Sequence, residues 1–428
     1  MVYVLNKNGK PLMPCKPQKA RKLLQNKKAY VVNRVPFTIK LIYGSSGYKE
    51  PISLGMDAGS KHIGIAATIK KKVLYAEELK PRNDVVELLS TRRQNRRTRR
   101  NHLRYRQARF DNRVHSKHKG WLSPSVEVKI QEHLSVINRV MNFLPITKIH
   151  IETAEFDTQR LKAMENGNPL PVGEDYQKGE MYDSFNVRQY VLKRDNYTCQ
   201  ICNAHGNDIK LHVHHKESRK VGSDSPNNLI TLCKKCHKDL HKGLVSLPEE
   251  QHKRYRDAAF MGIMRNTLIK RAKEMFDIPV TNTFGYITKY YRETYNIEKS
   301  HINDAIIISK NFNAKFDGEY YQTKAVRHHN RQIHKANFIK GGHKKLNQAP
   351  YLVKELKLFD TVEYQDNLYF VFGRRQSGFM DIRTLDGTKV NKSSISYKNI
   401  KYIKSNKGVL IERRKAISLA DKSVSFLA

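Results

Sequence analysis

Two Cys-x-x-Cys pairs, Cys199-Gln-Ile-Cys202 and Cys233-Lys-Lys-Cys236, stand thirty residues apart and constrain the middle of this chain more than any other feature. Knuckles paired in this way bring four thiolates to one tetrahedral centre, the donor set of a structural zinc. Such a metal contributes folding free energy to a segment too small to bury a sufficient core. A four-cysteine site keeps no open coordination position, so the zinc is expected to staple rather than to react. Four thiols in this arrangement suit a reducing compartment better than disulfides do.

Between and beyond the knuckles lie His212, His214, His215, Asn228, His237 and His241. A strand is expected to present His214 and His215, and a loop Asn228. His237 and His241 are i,i+4 on a helix and so face one metal. Residues 190–245 resemble the HNH (ββα-metal) nuclease motif in its form with a CxxC pair on either side. The resemblance implies that His215 is the general base and that His214, His237 and His241 hold one catalytic Mg2+. It gives Asn228 the task of orienting the loop and His215. Many members of that family carry Asp where His214 stands, and imidazole is a poorer Mg2+ ligand than carboxylate.

The charge balance names the class of partner. The chain has 80 Lys+Arg against 40 Asp+Glu, a net charge of +40. A polyanion neutralises that self-repulsion, and nucleic acid is the first candidate. Much of the charge is concentrated in the run TRRQNRRTRRNHLRYRQARF, which neither Pro nor Gly interrupts. Arg92, Arg93, Arg96, Arg97, Arg99, Arg100 and Arg104 would surround most of a helix there. Like charges at i,i+4 cost a few tenths of a kcal/mol each, and phosphates on several sides would remove that cost. No stretch approaches the roughly 18 consecutive apolar residues of a membrane span. The opening MVYVLNKNGK lacks the pattern of a signal peptide. A cytoplasmic, prokaryotic location with access to the nucleoid is expected, and no membrane partner.

Three acids stand at the tips of apolar elements. Asp57 ends the strand ISLGMD, Glu152 ends KIHIE, and Asp304 lies in HINDA at the start of a helix, with His301 one turn earlier on the same face. Carboxylates at such places are costly unless they bind something. Together they suit a two-metal site about 3.5–4 Å across. Their order resembles the three-part RuvC nuclease of the RNase H superfamily. That resemblance implies Asp57, Glu152 and Asp304 as Mg2+ ligands and His301 as a ligand or proton acceptor.

The split nuclease with an inserted HNH module resembles the IscB family, transposon-encoded relatives of the CRISPR effector nuclease. Further likenesses to that family are the segment Pro11–Pro14 (Pro-Leu-Met-Pro), the Arg-rich run in place of its bridge helix, GWLSPS at 120–125 and RQIHKANFIKGGHKK at 331–345. The expected fold is mixed α/β. It comprises an N-terminal domain over 1–50, RuvC parts at 51–80, 116–184 and 249–325, a bridge helix at 81–115 and the HNH module at 185–248. A basic, β-rich C-terminal domain over 326–428 is expected to contact RNA and the motif beside the target. Within it, Arg374, Arg375 and Gln376 of the loop FGRRQSG are candidate base readers, since Arg partners guanine and Gln adenine. The implied activity is RNA-guided, metal-dependent cleavage of both strands of target DNA. HNH would cut the guide-paired strand and RuvC the displaced one. Structured guide RNA and double-stranded DNA are the implied partners of a monomeric ribonucleoprotein. A guide-free HNH homing or restriction-type endonuclease is the alternative. It explains either nuclease alone, but not one inside the other with an Arg-rich helix in the first gap.

Overall fold

The computed structural model describes residues 1–45, 47–101, 120–153, 169, 186–206, 208–217, 228–247, 256–327, 350–391 and 394–415. Arg104 and the segment 331–345 lie outside the described residues. The chain forms two compact units, one of residues 1–156 with 264–428 and one of residues 157–263. The architecture is mixed α/β. No described helix is long and apolar enough to cross a membrane.

The first unit opens with β1 (Val2–Leu5), β2 (Pro11–Cys15), α1 (Pro17–Gln25), β3 (Ala29–Arg34) and β4 (Phe37–Leu41). The strands lie in the order β2-β1-β4-β3, with β1 and β4 parallel. The Pro-Leu-Met-Pro segment thus forms an edge strand, where a missing N–H costs no ladder bond. Pro17 opens α1, at a position whose N–H has no helical partner in any case. Val2, Val4, Leu12, Ala20, Ile39 and Leu41 close the core of this sheet.

Next come the antiparallel strands β5 (Ile52–Ala58), β6 (Ile63–Ile69) and β7 (Lys72–Lys80), the meander expected from their apolar runs. Helices α2 (Val85–Asn101) and α3 (Pro124–Met141) follow, and then β8 (Ile146–Thr153), parallel to β5. The second unit supplies α4 (Val187–Arg194), β9 (Leu211–His215), β10 (Leu229–Cys233) and α5 (Lys234–His241). Then come α6 (Arg256–Met275), which begins in the second unit and ends in the first, and β11 (Val280–Phe284), α7 (Gly285–Thr294), α8 (His301–Ile308) and β12 (Glu319–Ala325). The remaining strands are β13 (Thr361–Tyr364), β14 (Asn367–Arg374), β15 (Phe379–Arg383), β16 (Ile395–Ser396), β17 (Lys401–Lys404) and β18 (Val409–Lys415).

One seven-stranded sheet, in the order β11-β8-β5-β6-β7-β12-β18, gathers strands from distant parts of the chain. Its inner strands β5 and β6 are buried along most of their length, as strands covered from both sides must be. Glu77 of β7 is fully buried. It accepts hydrogen bonds from the Tyr75 hydroxyl at 2.6 Å and from Thr323 Oγ1 of β12 at 2.5 Å, and it pairs with Arg139 of α3. Removing one partner of such a buried pair typically costs about 3–5 kcal/mol, because the other charge is left uncompensated. The expected C-terminal β-rich region divides in two. Strands β13–β17 form a separate sheet ordered β16-β15-β14-β13-β17, while β18 leaves it and pairs with β12 in the large sheet.

Candidate active site and metal centre

In the second unit the thiols of Cys199, Cys202, Cys233 and Cys236 lie within 4.8 Å of one another. Cys199, Cys233 and Cys236 are buried and Cys202 is exposed. Cys233 ends β10 and caps α5, its Sγ accepting the Cys236 N–H at 3.4 Å. Four sulfur donors converging from two CxxC knuckles suit zinc. The two residues that supply half of this cluster also begin α5, which carries His237 and His241.

Those two imidazoles and that of His214 form a second group whose ligand atoms all lie within 4.8 Å. The ring centroids of His214 and His237 are 5.0 Å apart, those of His214 and His241 5.1 Å, and those of His237 and His241 4.7 Å. Burial first, and then the neighbouring imidazoles, hold His214 and His237 below the ordinary histidine range. Neutral imidazole is the form that ligates a metal. The three nitrogens fit a divalent cation, although borderline metals suit them better than Mg2+. His212, two residues before His214 and so on the same face of β9, stacks on His237 at 5.2 Å. The motif assigns it no task, though strand alternation carries the signal.

Asn228, buried at the start of β10, clamps the chain just beyond His215. Its Oδ1 accepts the Glu217 N–H at 2.8 Å, its Nδ2 donates to the Glu217 carbonyl at 3.1 Å, and its own carbonyl accepts the Lys216 N–H at 2.7 Å. His215 itself pairs in register with Leu229.

The first unit brings the expected acids to one end of its sheet. Asp57 and Glu152 are direct register partners on parallel β5 and β8. Helix α8 adds His301 and Asp304 by lying hard against the sheet. A Cβ on Gly55 would meet the Ala305 carbonyl at 2.0 Å, and one on Gly64 the His301 carbonyl at 1.9 Å. Only glycine admits a backbone that close. His301 Nδ1 then hydrogen-bonds Asp57 Oδ2 at 2.6 Å. Each remaining carboxylate has a partner that the sequence did not disclose. Glu152 accepts from Thr288 Oγ1, and Asp304 Oδ1 accepts from the Arg292 guanidinium at 2.9 Å, both from α7. The three carboxylates are not among the groups whose ligand atoms all lie within 4.8 Å. They do sense one another. Burial raises Glu152 to about 7 against the Thr288 bond, and the charges of Asp57 and Asp304 add to the rise. Burial likewise raises Asp304, and the bond to Asp57 raises His301. Crowded, half-desolvated carboxylates of this kind fit an oxygen-seeking divalent cation.

Of the Arg-rich run, α2 presents Arg92, Arg93, Arg96 and Arg97 to solvent. None of the four forms an ion pair among the described residues. In the small sheet, Arg374 is half-buried, and its guanidinium donates to the carbonyls of Tyr351 at 2.5 Å and Leu356 at 3.1 Å. Arg375, Gln376 and Ser377 are exposed in the β14–β15 turn, which the bond from Gly378 N to the Arg375 carbonyl closes at 2.9 Å.

Two family models match this chain: that of the RRXRR proteins over residues 2–179 and that of HNH endonucleases over residues 199–243. The first name is spelled out by Arg96-Arg97-Thr98-Arg99-Arg100, on α2. The chain thus carries an RRXRR segment and an HNH endonuclease segment, and in this it is similar to IscB-type proteins. The HNH match spans both knuckles, His214, His215, Asn228, His237 and His241. No curated protein matches it. Among solved structures, Streptococcus thermophilus Cas9 in complex with an AGGA PAM is similar at 15% identity and a TM-score of 0.32, covering 50% of this chain and 30% of that one. The same Cas9 with a GGAA PAM is similar at 14% and 0.34, covering 51% and 30%. The chain thus spans under a third of the length of those chains.

Proposed function

We propose that this chain is an RNA-guided DNA endonuclease with two nuclease sites, each cutting one strand. The observation that carries the reading is the pair of separate constellations in one chain: a His-rich site beside a four-cysteine cluster in the unit 157–263, and an acidic site on the sheet of the unit that flanks it in sequence. In this reading β5–β7, β8 and β11 with α7 and α8 are the three parts of a RuvC nuclease, Asp57, Glu152 and Asp304 are its ligands, and Mg2+ is its metal. Residues 190–245 are the HNH nuclease, and the four-cysteine cluster holds a structural zinc. The sheet order β7-β6-β5-β8-β11 supports an RNase H-like core, since the meander comes first and two parallel strands extend it from β5.

In the HNH site, His215 takes the proton of the attacking water, and the Asn228 clamp on residues 216–217 holds the strand end that carries it. His214, His237 and His241 hold the cation, which supplies charge stabilisation at the scissile phosphate when bound. In the acidic site, His301 is oriented by Asp57 to receive a proton, and Arg292 stands beside Asp304, where it neutralises charge. The arginines of α2 bind guide RNA through its phosphates. In the β14–β15 turn, Arg375 and Gln376 are the side chains free to reach a DNA groove, while Arg374 anchors the turn to residues 351 and 356. The chain works as a monomeric ribonucleoprotein in a prokaryotic cytoplasm.

The deciding experiment is to purify the full chain from cells and sequence its bound nucleic acid. A discrete structured RNA that directs cleavage to a matching duplex is expected. Sequence-dependent cleavage by protein freed of RNA would instead establish the guide-free HNH endonuclease.

A further inference from the structure

Three groups among the described residues gather His, Cys or acidic ligand atoms within 4.8 Å of one another. Two are the four-cysteine and three-histidine clusters. The third is His62, Glu78 and His301, and neither His62 nor Glu78 has a place in the sites above.

His62 lies in the turn before β6, and Glu78 on β7 faces Gly64 of β6 in register. His62 Nδ1 meets Glu78 Oε1 at 2.6 Å. The His62 ring lies face to face with that of His301, centroids 5.1 Å apart and planes 2° from parallel. The Nδ1 atoms of the two rings face the Glu78 and Asp57 carboxylates, and each of the three residues brings one ligand atom to the group, so that a cation would take the place of the His62–Glu78 hydrogen bond. His62 and Glu78 are half-buried and the His301 side chain is 44% exposed, so the ligand atoms are reachable. Tetrahedral ligation at about 2.1 Å would place donors about 3.4 Å apart, a modest contraction of the present group. The absence of a Cβ on Gly64 matters here too, because it seats the His301 backbone against β6 beside Glu78.

From this geometry we infer a further cation site at His62, Glu78 and His301, selective for a zinc-class metal. Two imidazoles and one carboxylate are a donor set that zinc and cobalt accept, with a position left open, and that magnesium disfavours. The site borders the carboxylate cluster and shares His301 with it. Its consequence for cleavage rests on the RuvC reading: a metal on the His301 imidazole competes with the proton that the ring would receive. Zinc would then slow the displaced-strand cut and spare the guide-paired one.

The test is a Co2+ titration of the full chain, purified with zinc in its cysteine cluster and followed by visible absorption. Wild type is expected to take up about one Co2+ more than His62→Ala, and Glu78→Gln to weaken that uptake at least about tenfold. His237→Ala should lose a different equivalent, so that the double variant with His62→Ala loses both. Asp57→Asn should keep the His62-dependent metal. Equal uptake by wild type, His62→Ala and Glu78→Gln, with all three melting alike, would show the group to be a hydrogen-bonded stack only. Loss in Asp57→Asn with retention in His62→Ala would assign the metal to the carboxylates and overturn the inference. These titrations stand whether or not the RuvC reading does. That reading is tested separately, by whether Zn2+ slows one strand and His62→Ala raises the required Zn2+ at least about tenfold.

Discussion

Gly64 lies directly beneath the carbonyl of His301, so close that a Cβ would stand 1.9 Å from the oxygen. The sheet and α8 meet backbone to backbone there, and this contact is what carries His301 to Asp57. Gly64→Ala should therefore push α8 outward and cost about 1–3 kcal/mol or more, as overpacking does. Denaturant unfolding of the first unit measures the loss. Cleavage assigned to the acidic site should fall with it, while the HNH cut persists. An unchanged midpoint would show that α8 is not seated as described.

Cys233 and Cys236 link the cysteine cluster to the helix that carries His237 and His241. Cys199→Ser should release about one zinc per chain and unfold the second unit, since a structural zinc is folding free energy. Metal analysis and protease susceptibility check this. A variant that keeps both its zinc and its HNH cut would refute the assignment.

The two sites should fail separately. His215→Ala is expected to leave a nickase of the displaced strand, and Asp57→Ala a nickase of the guide-paired strand, each dead site slower by about 100-fold or more. Strand-specific labels on one duplex provide the readout. Should either variant abolish both cuts equally while still binding DNA, the picture of independent sites is wrong.

The arginines of α2 should contact phosphate. Replacing Arg96, Arg97, Arg99 and Arg100 with Ala should weaken RNA binding and flatten its salt dependence, by about 0.7–0.9 log–log units per lost contact. An unchanged slope would mean that these side chains face solvent in the complex.

Glu132 of α3 gives a pH prediction away from any metal ligand. Burial raises it to about 7, against the hydrogen bond from the Arg82 N–H at 2.9 Å. Between 4.5, its value in the unfolded chain, and about 7, the folded state therefore binds more protons than the unfolded one. The stability this protonation contributes is complete below 4.5 and is lost as the pH rises through about 7. Glu132→Gln should melt later than wild type at pH 8, and the difference should shrink towards pH 4.5. A constant difference across that range would show that Glu132 titrates normally.

Much of the site was legible because its signals are local. The CxxC spacing, the i,i+4 pair His237 and His241, and the apolar runs that end in Asp57 and Glu152 each lie within one or two turns or strands. Backbone periodicity turns such patterns directly into shared faces. The Arg-rich helix was legible for the same reason, since an uninterrupted run of helix formers needs no distant partner. What only the tertiary structure decided joins residues far apart in sequence. His301 meets Asp57 across 244 positions, and α8 reaches the sheet because Gly55 and Gly64 lack side chains. Nothing in sequence spacing points Arg292 at Asp304, sets His62 against His301, turns Arg374 inward to backbone carbonyls, or returns β18 from the small sheet to the large one. Those choices follow from which surfaces are buried together, and burial is a property of the packed chain rather than of any segment.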